Sequence, residues 1–297
     1  MSAEQGPWGA RDGSSPPAVP SSPSREVKSW RLGPIGVRVE KTQAPVGDVA
    51  PLDKGQHPVW AIVSTALLAG FIWFVSGSWI VALAVIVGLF VHEYGHVLAM
   101  NRYGMGPARI YVVPFFGGYA RGQRPPQSQW DGVKMSLAGP LFGLLAAVPF
   151  FGIFALTRQS EWLVGAFAIA MVNLINLAPA PPLDGSRALG PVMAKVHPGL
   201  DKIALVIVGL VVVAWGLLNG FYFLAIILGI AVVGTLKRGL PQEGGRVLTV
   251  REAWFSVGLF LASLAACAAV AVAALTPLAG SIEGSVAFGL NYLGFTR

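Results

Sequence analysis

Charge is what this sequence has least of. Asp, Glu, Lys and Arg make up 12% of its 297 residues, where a soluble domain carries about 25%. With 54% hydrophobic residues and a mean hydropathy of +0.64, the chain cannot present the polar surface of a soluble globule. Cysteine is scarcer still. The lone Cys267 excludes an internal disulfide and a cysteine zinc cluster, and in its apolar run a thiol simply packs. No apolar h-region precedes residue 58, so no cleaved signal peptide is expected. Only four histidines and 14 acids are present, so any of them inside an apolar run stands out.

What is abundant is apolar sequence in long runs. Residues 1–24 are rich in Pro, Ser and Gly (GSSPPAVPSSPS) and read as disordered. Residues 30–41 alternate apolar and basic, the pattern of a short strand. Near-spanning runs then follow over 59–76, 79–101, 132–156, 162–180, 202–218, 220–236 and 253–276. They predict an all-α polytopic membrane protein of six to seven transmembrane helices, the fifth and sixth runs being short. The domain organisation expected is a largely disordered tail over 1–57, a membrane domain over 58–276 with its core at 79–190, and an interfacial tail over 277–297. The very short links SGS and LNG force antiparallel hairpins.

Orientation follows from the basic residues. With the N-terminus in the cytoplasm, every Lys and Arg except Arg158 and Arg297 falls on the inner side. The net charge of +7 is therefore a topology signal in a multi-pass plasma or inner membrane protein. Nucleic acid is not an expected partner; the lipid bilayer is.

Against this background residues 91–100, VHEYGHVLAM, are anomalous. They close the second apolar run near its cytoplasmic end. Ionisable groups at membrane depth are costly and mark function. In H-E-x-x-H, positions i and i+4 share a helix face, so His92 and His96 can bind one metal ion together, and two imidazoles suit zinc. Glu93, displaced around the helix, is placed to take a proton from water that the ion activates. The alternative is a pair of histidines bonding neighbouring helices.

A hydrolytic zinc site takes three protein ligands and keeps one position open. Among the acids only Glu93 and Asp184 fall at membrane depth; His57 and His197 read as surface residues. Asp184 sits near the end of the stretch NLINLAPAPPLDG (173–185). Pro179, Pro181 and Pro182 must break the helix there, and broken backbone at that depth must be buried in protein or line a wet cavity. Asp184 thus reads either as the third ligand or as a simple helix cap.

HEYGH on one run and NLAPAPPLDG at the end of a later one resemble the site-2 protease family of intramembrane zinc metalloproteases. The resemblance covers residues 79–190. It implies one Zn2+ per chain on His92, His96 and Asp184, with Glu93 as acid/base. Residues 107–124, PARIYVVPFFGGYARGQR, predict a hairpin or re-entrant loop after the HExxH helix, and the family carries a Gly-rich loop there. An edge at Gly117 and Gly118 could pair with an unwound substrate strand. LAGP (137–140) also resembles a family motif. The Asn that often follows it is replaced here by Leu141, Phe142 and Gly143, which leaves one substrate-contacting or oxyanion role open. Asn176 could fill it; the alternative for Asn176, and the preferred reading for Asn173, is helix–helix hydrogen bonding.

The activity implied is cleavage of transmembrane segments, a membrane-tethered transcription regulator or an anti-sigma factor being the family's typical partner. Nothing long enough for a PDZ insertion or a pair of CBS domains is visible. Two rival classes are a metal transporter or sensor using the same ligands, and an inactive relative that binds helices. A transporter calls for more than one polar cluster along a pathway, and an inactive relative has no need of an intact Glu93.

Overall fold

The computed structural model describes residues 25–32, 35–42, 53–115, 117–180, 182–197, 199–220, 222–238 and 245–292. The chain divides into two units, Met1–Leu52 and Asp53–Arg297. In the first, β1 (Arg25–Leu32) and β2 (Ile35–Thr42) pair antiparallel from Arg25↔Thr42 to Leu32↔Ile35. The strand expected over 30–41 is therefore a hairpin that starts earlier. The disorder expected over 1–24 lies outside the described residues.

In the second unit every predicted apolar run becomes a helix. α1 (Pro58–Ser76) starts with proline at its first position, where the missing N–H costs nothing, and ends on Gly77 in the left-handed conformation. After two residues α2 (Trp79–Arg102) begins, capped by the Ser78 hydroxyl. β3 (Arg109–Val113) and β4 (Gly117–Arg121) form the predicted hairpin. The Gly-Gly pair opens β4 and is not itself the turn.

α3 (Gln129–Gly143) passes through a 3-10 turn, Leu144–Ala146, into α4 (Ala147–Thr157). Pro149 explains the tightening: it has no N–H for the Leu145 carbonyl and its ring crowds that carbonyl. α5 (Glu161–Asn176) is shorter than the expected 162–180. Pro179 disfavours helical backbone at Ala178, and the chain turns instead, with Leu177 N–H donating to Leu174 O and Ala178 N–H to Ile175 O. α6 (Asp184–Val196) follows. α7 (Leu200–Leu218) packs on α8 (Tyr222–Arg238). α9 (Val250–Ala279) starts at a full capping box between Thr249 and Glu252 and runs longer than the expected 253–276. The expected interfacial tail contains a further helix, α10 (Ile282–Tyr292).

Among the described residues, four helical segments are long and apolar enough to cross a membrane: α1, α2, α3–α4 and α9. Where six to seven spans are expected, four of the described helical segments meet the length and composition of a span, and α5 and Lys202–Leu218 of α7 are shorter apolar helices. α2 is the axis of the unit. It packs against both α3 and α5, which also touch each other, and α9 packs against α5 and α3. The seam is built of small and branched residues, Ile80, Ala84, Ala166, Ile169, Ala170, Ala271 and Ala274. Small side chains let helices approach closely where no hydrophobic effect drives them together.

Candidate metal centre

The second half of α2 delivers three ionisable side chains into the protein interior. His92 is 2% exposed, and Glu93 and His96 are each 5% exposed. One turn apart, the two imidazoles stand on the same face and meet edge to face.

Each ring is held from behind. His92 Nδ1 lies 2.9 Å from Asn173 Oδ1 on α5, and His96 Nδ1 lies 2.8 Å from the Met135 carbonyl on α3. Both partners are acceptors, so each Nδ1 carries the hydrogen, and in the neutral ring each Nε2 then presents a bare lone pair. The two Nε2 atoms face each other at 3.1 Å. Asp184 Oδ2 completes a triangle, 3.1 Å from His92 Nε2 and 3.2 Å from His96 Nε2. That oxygen is buried and makes no hydrogen bond among the described residues.

Three acceptors turned toward one another in a buried site repel unless a cation lies among them. The donor set tests which cation fits. Two imidazole nitrogens and one carboxylate oxygen are a zinc set. A tetrahedral ion with bonds of about 2.0–2.1 Å separates its ligand atoms by about 3.3 Å, close to the edges of this triangle. Held by three residues, such an ion keeps a position open, as in hydrolytic zinc sites. The donor set fits zinc, and among the described residues His92, His96 and Asp184 form a group able to hold one metal ion.

Asp184 arrives through the Pro-rich turn. It is the first residue of α6, after Leu183 in the N-cap position, so it is not the cap itself. A carboxylate is favoured at a helix N-terminus in any case. Gly185 is required beside it: a Cβ there would run into the Leu177 carbonyl. Gly139 of the LAGP stretch does the same for the histidines. A Cβ at Gly139 would lie 2.9 Å from His92 Nε2 and nearer still to His96 Nε2, inside the space where an ion belongs.

Glu93 does not join the triangle. Its carboxyl lies beside the backbone of Ala120 in β4, and Gly118 brings β4 against its side chain, a Cβ at Gly118 falling 3.3 Å from Glu93 Cγ. The two edges of the hairpin are not equivalent. On β3, the Gln56 carboxamide pairs with Val112 as a strand would, Nε2 donating to Val112 O at 2.9 Å and Oε1 accepting from Val112 N–H at 2.8 Å. That edge is closed at Val112, and the β4 edge is the one beside Glu93.

The predicted residues thus converge in part. His92, Glu93, His96 and Asp184 come together, with Gly118 next to Glu93 and Gly117 at the start of β4. Asn176 stands apart, its Nδ2 donating 2.9 Å to Val172 O of its own helix. His57 and His197 are exposed, as expected. Sequence reasoning missed the link from Asn173 to His92; the signal was a second amide in an apolar helix, one turn before Asn176.

Part of the chain is similar to known proteins. Residues 80–163 match Peptidase family M50. Zinc metalloprotease MJ0392 of Methanocaldococcus jannaschii is 28% identical over 145 residues, 45% of this chain and 41% of the relative. A candidate zinc metalloprotease of Synechocystis, sll0528, is 29% identical over 158 residues, 50% of this chain and 39% of the relative. The chain therefore spans about two fifths of the length of these curated relatives. No solved structure matches it significantly.

Proposed function

We propose, from the match of residues 80–163 to peptidase family M50 and the resemblance of the two motifs to the site-2 protease family, that this chain is an intramembrane zinc endopeptidase cutting transmembrane segments of other proteins. One observation carries the reading: three bare acceptors converge beside a buried glutamate that is not needed to hold the ion.

His92, His96 and Asp184 hold the zinc, and Asn173 and the Met135 carbonyl keep both imidazoles turned inward. Bound there, zinc supplies a Lewis acid that acidifies water and polarises a carbonyl. The Glu93 carboxylate takes a proton from the attacking water and returns it to the amine nitrogen of the departing peptide. Burial of the site excludes bulk solvent from that exchange. The peptide bonds of a substrate helix are shielded by their own hydrogen bonds, so the segment must unwind first, and helix-breaking residues in it favour cleavage. Unwound, it can pair with the β4 edge at Gly117 and Gly118, and the Asn176 amide can turn to hydrogen-bond its backbone or the oxyanion.

With the N-terminus in the cytoplasm, the site lies toward the cytoplasmic side, and cleavage releases a cytoplasmic fragment. A membrane-tethered transcription regulator or anti-sigma factor is the kind of substrate this serves.

The test is cleavage of a panel of tagged single-span proteins in membranes by wild type and Glu93→Gln, with zinc measured in both purified proteins. Wild-type cleavage, lost in a variant that keeps its zinc, is the expected result. Cleavage that survives Glu93→Gln removes Glu93 from the mechanism, and two proteins without zinc remove the metal centre.

A further inference from the structure

Asn173 is fully buried in α5, in surroundings where an amide is costly unless both its ends are paired. Both are. Nδ2 donates 2.8 Å to the Ile169 carbonyl one turn back, and Oδ1 lies 2.9 Å from His92 Nδ1. The first bond settles the second. Because Nδ2 must face a carbonyl, Oδ1 is left facing His92, and it accepts from Nδ1–H. The amide therefore holds the imidazole in the tautomer and orientation that send the Nε2 lone pair toward His96 and Asp184.

The room for this amide comes from a third helix. A Cβ at Gly143 on α3 would lie 2.8 Å from both Asn173 Cγ and Nδ2 and nearer still to Oδ1. Asn173 occupies the place where any side chain at position 143 would begin. His96 needs no such device, because its support is the Met135 backbone carbonyl.

We infer that Asn173 is a positioning residue of the metal centre, that Gly143 is the vacancy it requires, and that the pair sets zinc affinity through His92. The inference rests on the zinc-centre reading above and goes beyond it to a residue that touches neither ion nor substrate. It also gives the helix–helix hydrogen bond expected of Asn173 its partner, His92.

The test is a double-mutant cycle read as zinc affinity, by competition with a chromogenic chelator, on full-length protein in nanodiscs, with a cobalt(II) absorption spectrum as a second readout. Asn173→Ala and Gly143→Ala should each weaken zinc binding about 10- to 100-fold, the usual effect of losing an outer-shell partner, and alter the cobalt spectrum. The double variant should be no weaker than the more severe single, because both remove the same hydrogen bond. Gly143→Asn combined with Asn173→Ala returns an acceptor to the same space from the opposite helix and should recover most of the affinity.

Wild-type zinc affinity in Asn173→Ala overturns the inference, even if the zinc-free protein melts earlier, since packing alone would do that. Additive losses in the double variant overturn it too. Absence of zinc binding by the wild type fails the zinc-centre reading itself, and the inference with it. Should Gly143→Ala not fold, Asn173→Ala and the swapped pair still decide.

Discussion

Replacing Gly139 with alanine adds one carbon and two hydrogens, and should empty the metal centre. The added Cβ would lie 2.9 Å from His92 Nε2 and closer to His96 Nε2. Unstrained contacts between such atoms are about 3.5–4.0 Å, so each imidazole must retreat by about 0.6 Å or more, or α3 must lift off α2. Zinc ligand distances tolerate only about ±0.2 Å. Neither histidine can then keep its bond, and each is pinned from behind by Asn173 or Met135. The loss should exceed the 10- to 100-fold effect of an outer-shell change, that is, more than about 2.8 kcal/mol at 1.4 kcal/mol per tenfold. Gly152 is the matched control in the same hydrophobic segment, because a Cβ there meets nothing within 4 Å. Chelator competition on the purified proteins reads the affinities, and circular dichroism checks that both variants keep wild-type helicity. A folded Gly139→Ala protein with wild-type zinc affinity would refute the triangle as the binding site.

Two further outcomes follow from the site and its hairpin. Stripping zinc with a chelator should lower the melting temperature, since an ion present at 100 times its Kd contributes about 2.7 kcal/mol to the folded state; added zinc should restore it and magnesium should not, and equal melting with and without zinc would count against a built site. Gln56→Ala removes two hydrogen bonds to the Val112 backbone, each contributing about 1 kcal/mol, so the Val112 amide should lose hydrogen-exchange protection while zinc affinity stays unchanged; unchanged protection would mean that the Gln56 carboxamide does not close that edge.

Much of this was legible in the sequence because apolar length and H-E-x-x-H spacing are local signals. The i, i+4 relation of His92 and His96 needs only helical geometry, and Ser78, Gly77 and Pro58 mark helix ends by their own chemistry. Membrane crossing was less legible. A run such as 162–180 shows how far apolar sequence extends, whereas the helix stops where i to i−4 hydrogen bonding gives way to i to i−3 turns, at Asn176. The roles of Asn173, Gly139 and Gly143 were out of reach, because each depends on which helix lies opposite. Gln56 shows the same limit: an ordinary polar residue before α1 acquires its role only when β3 arrives beside it.

The early end of α5 is what builds the centre. Trp79 at the start of α2 and Trp162 at the start of α5 stack edge to face, 5.9 Å apart, so the two helices begin at one level and run side by side. His92 lies 13 residues beyond Trp79 and Asn173 lies 11 beyond Trp162, rises of about 20 Å and about 17 Å at 1.5 Å per residue. The two residues therefore meet. Asp184 comes 11 residues later still, which in continued helix would carry it about 17 Å past this level. It is instead 3.1 Å from His92. The chain between Asn176 and Asp184 cannot advance along the helix axis, and the prolines there ensure that it does not, by denying the backbone the N–H groups that a helix needs. The Pro-rich stretch is thus the element that returns the third ligand to the depth of the first two.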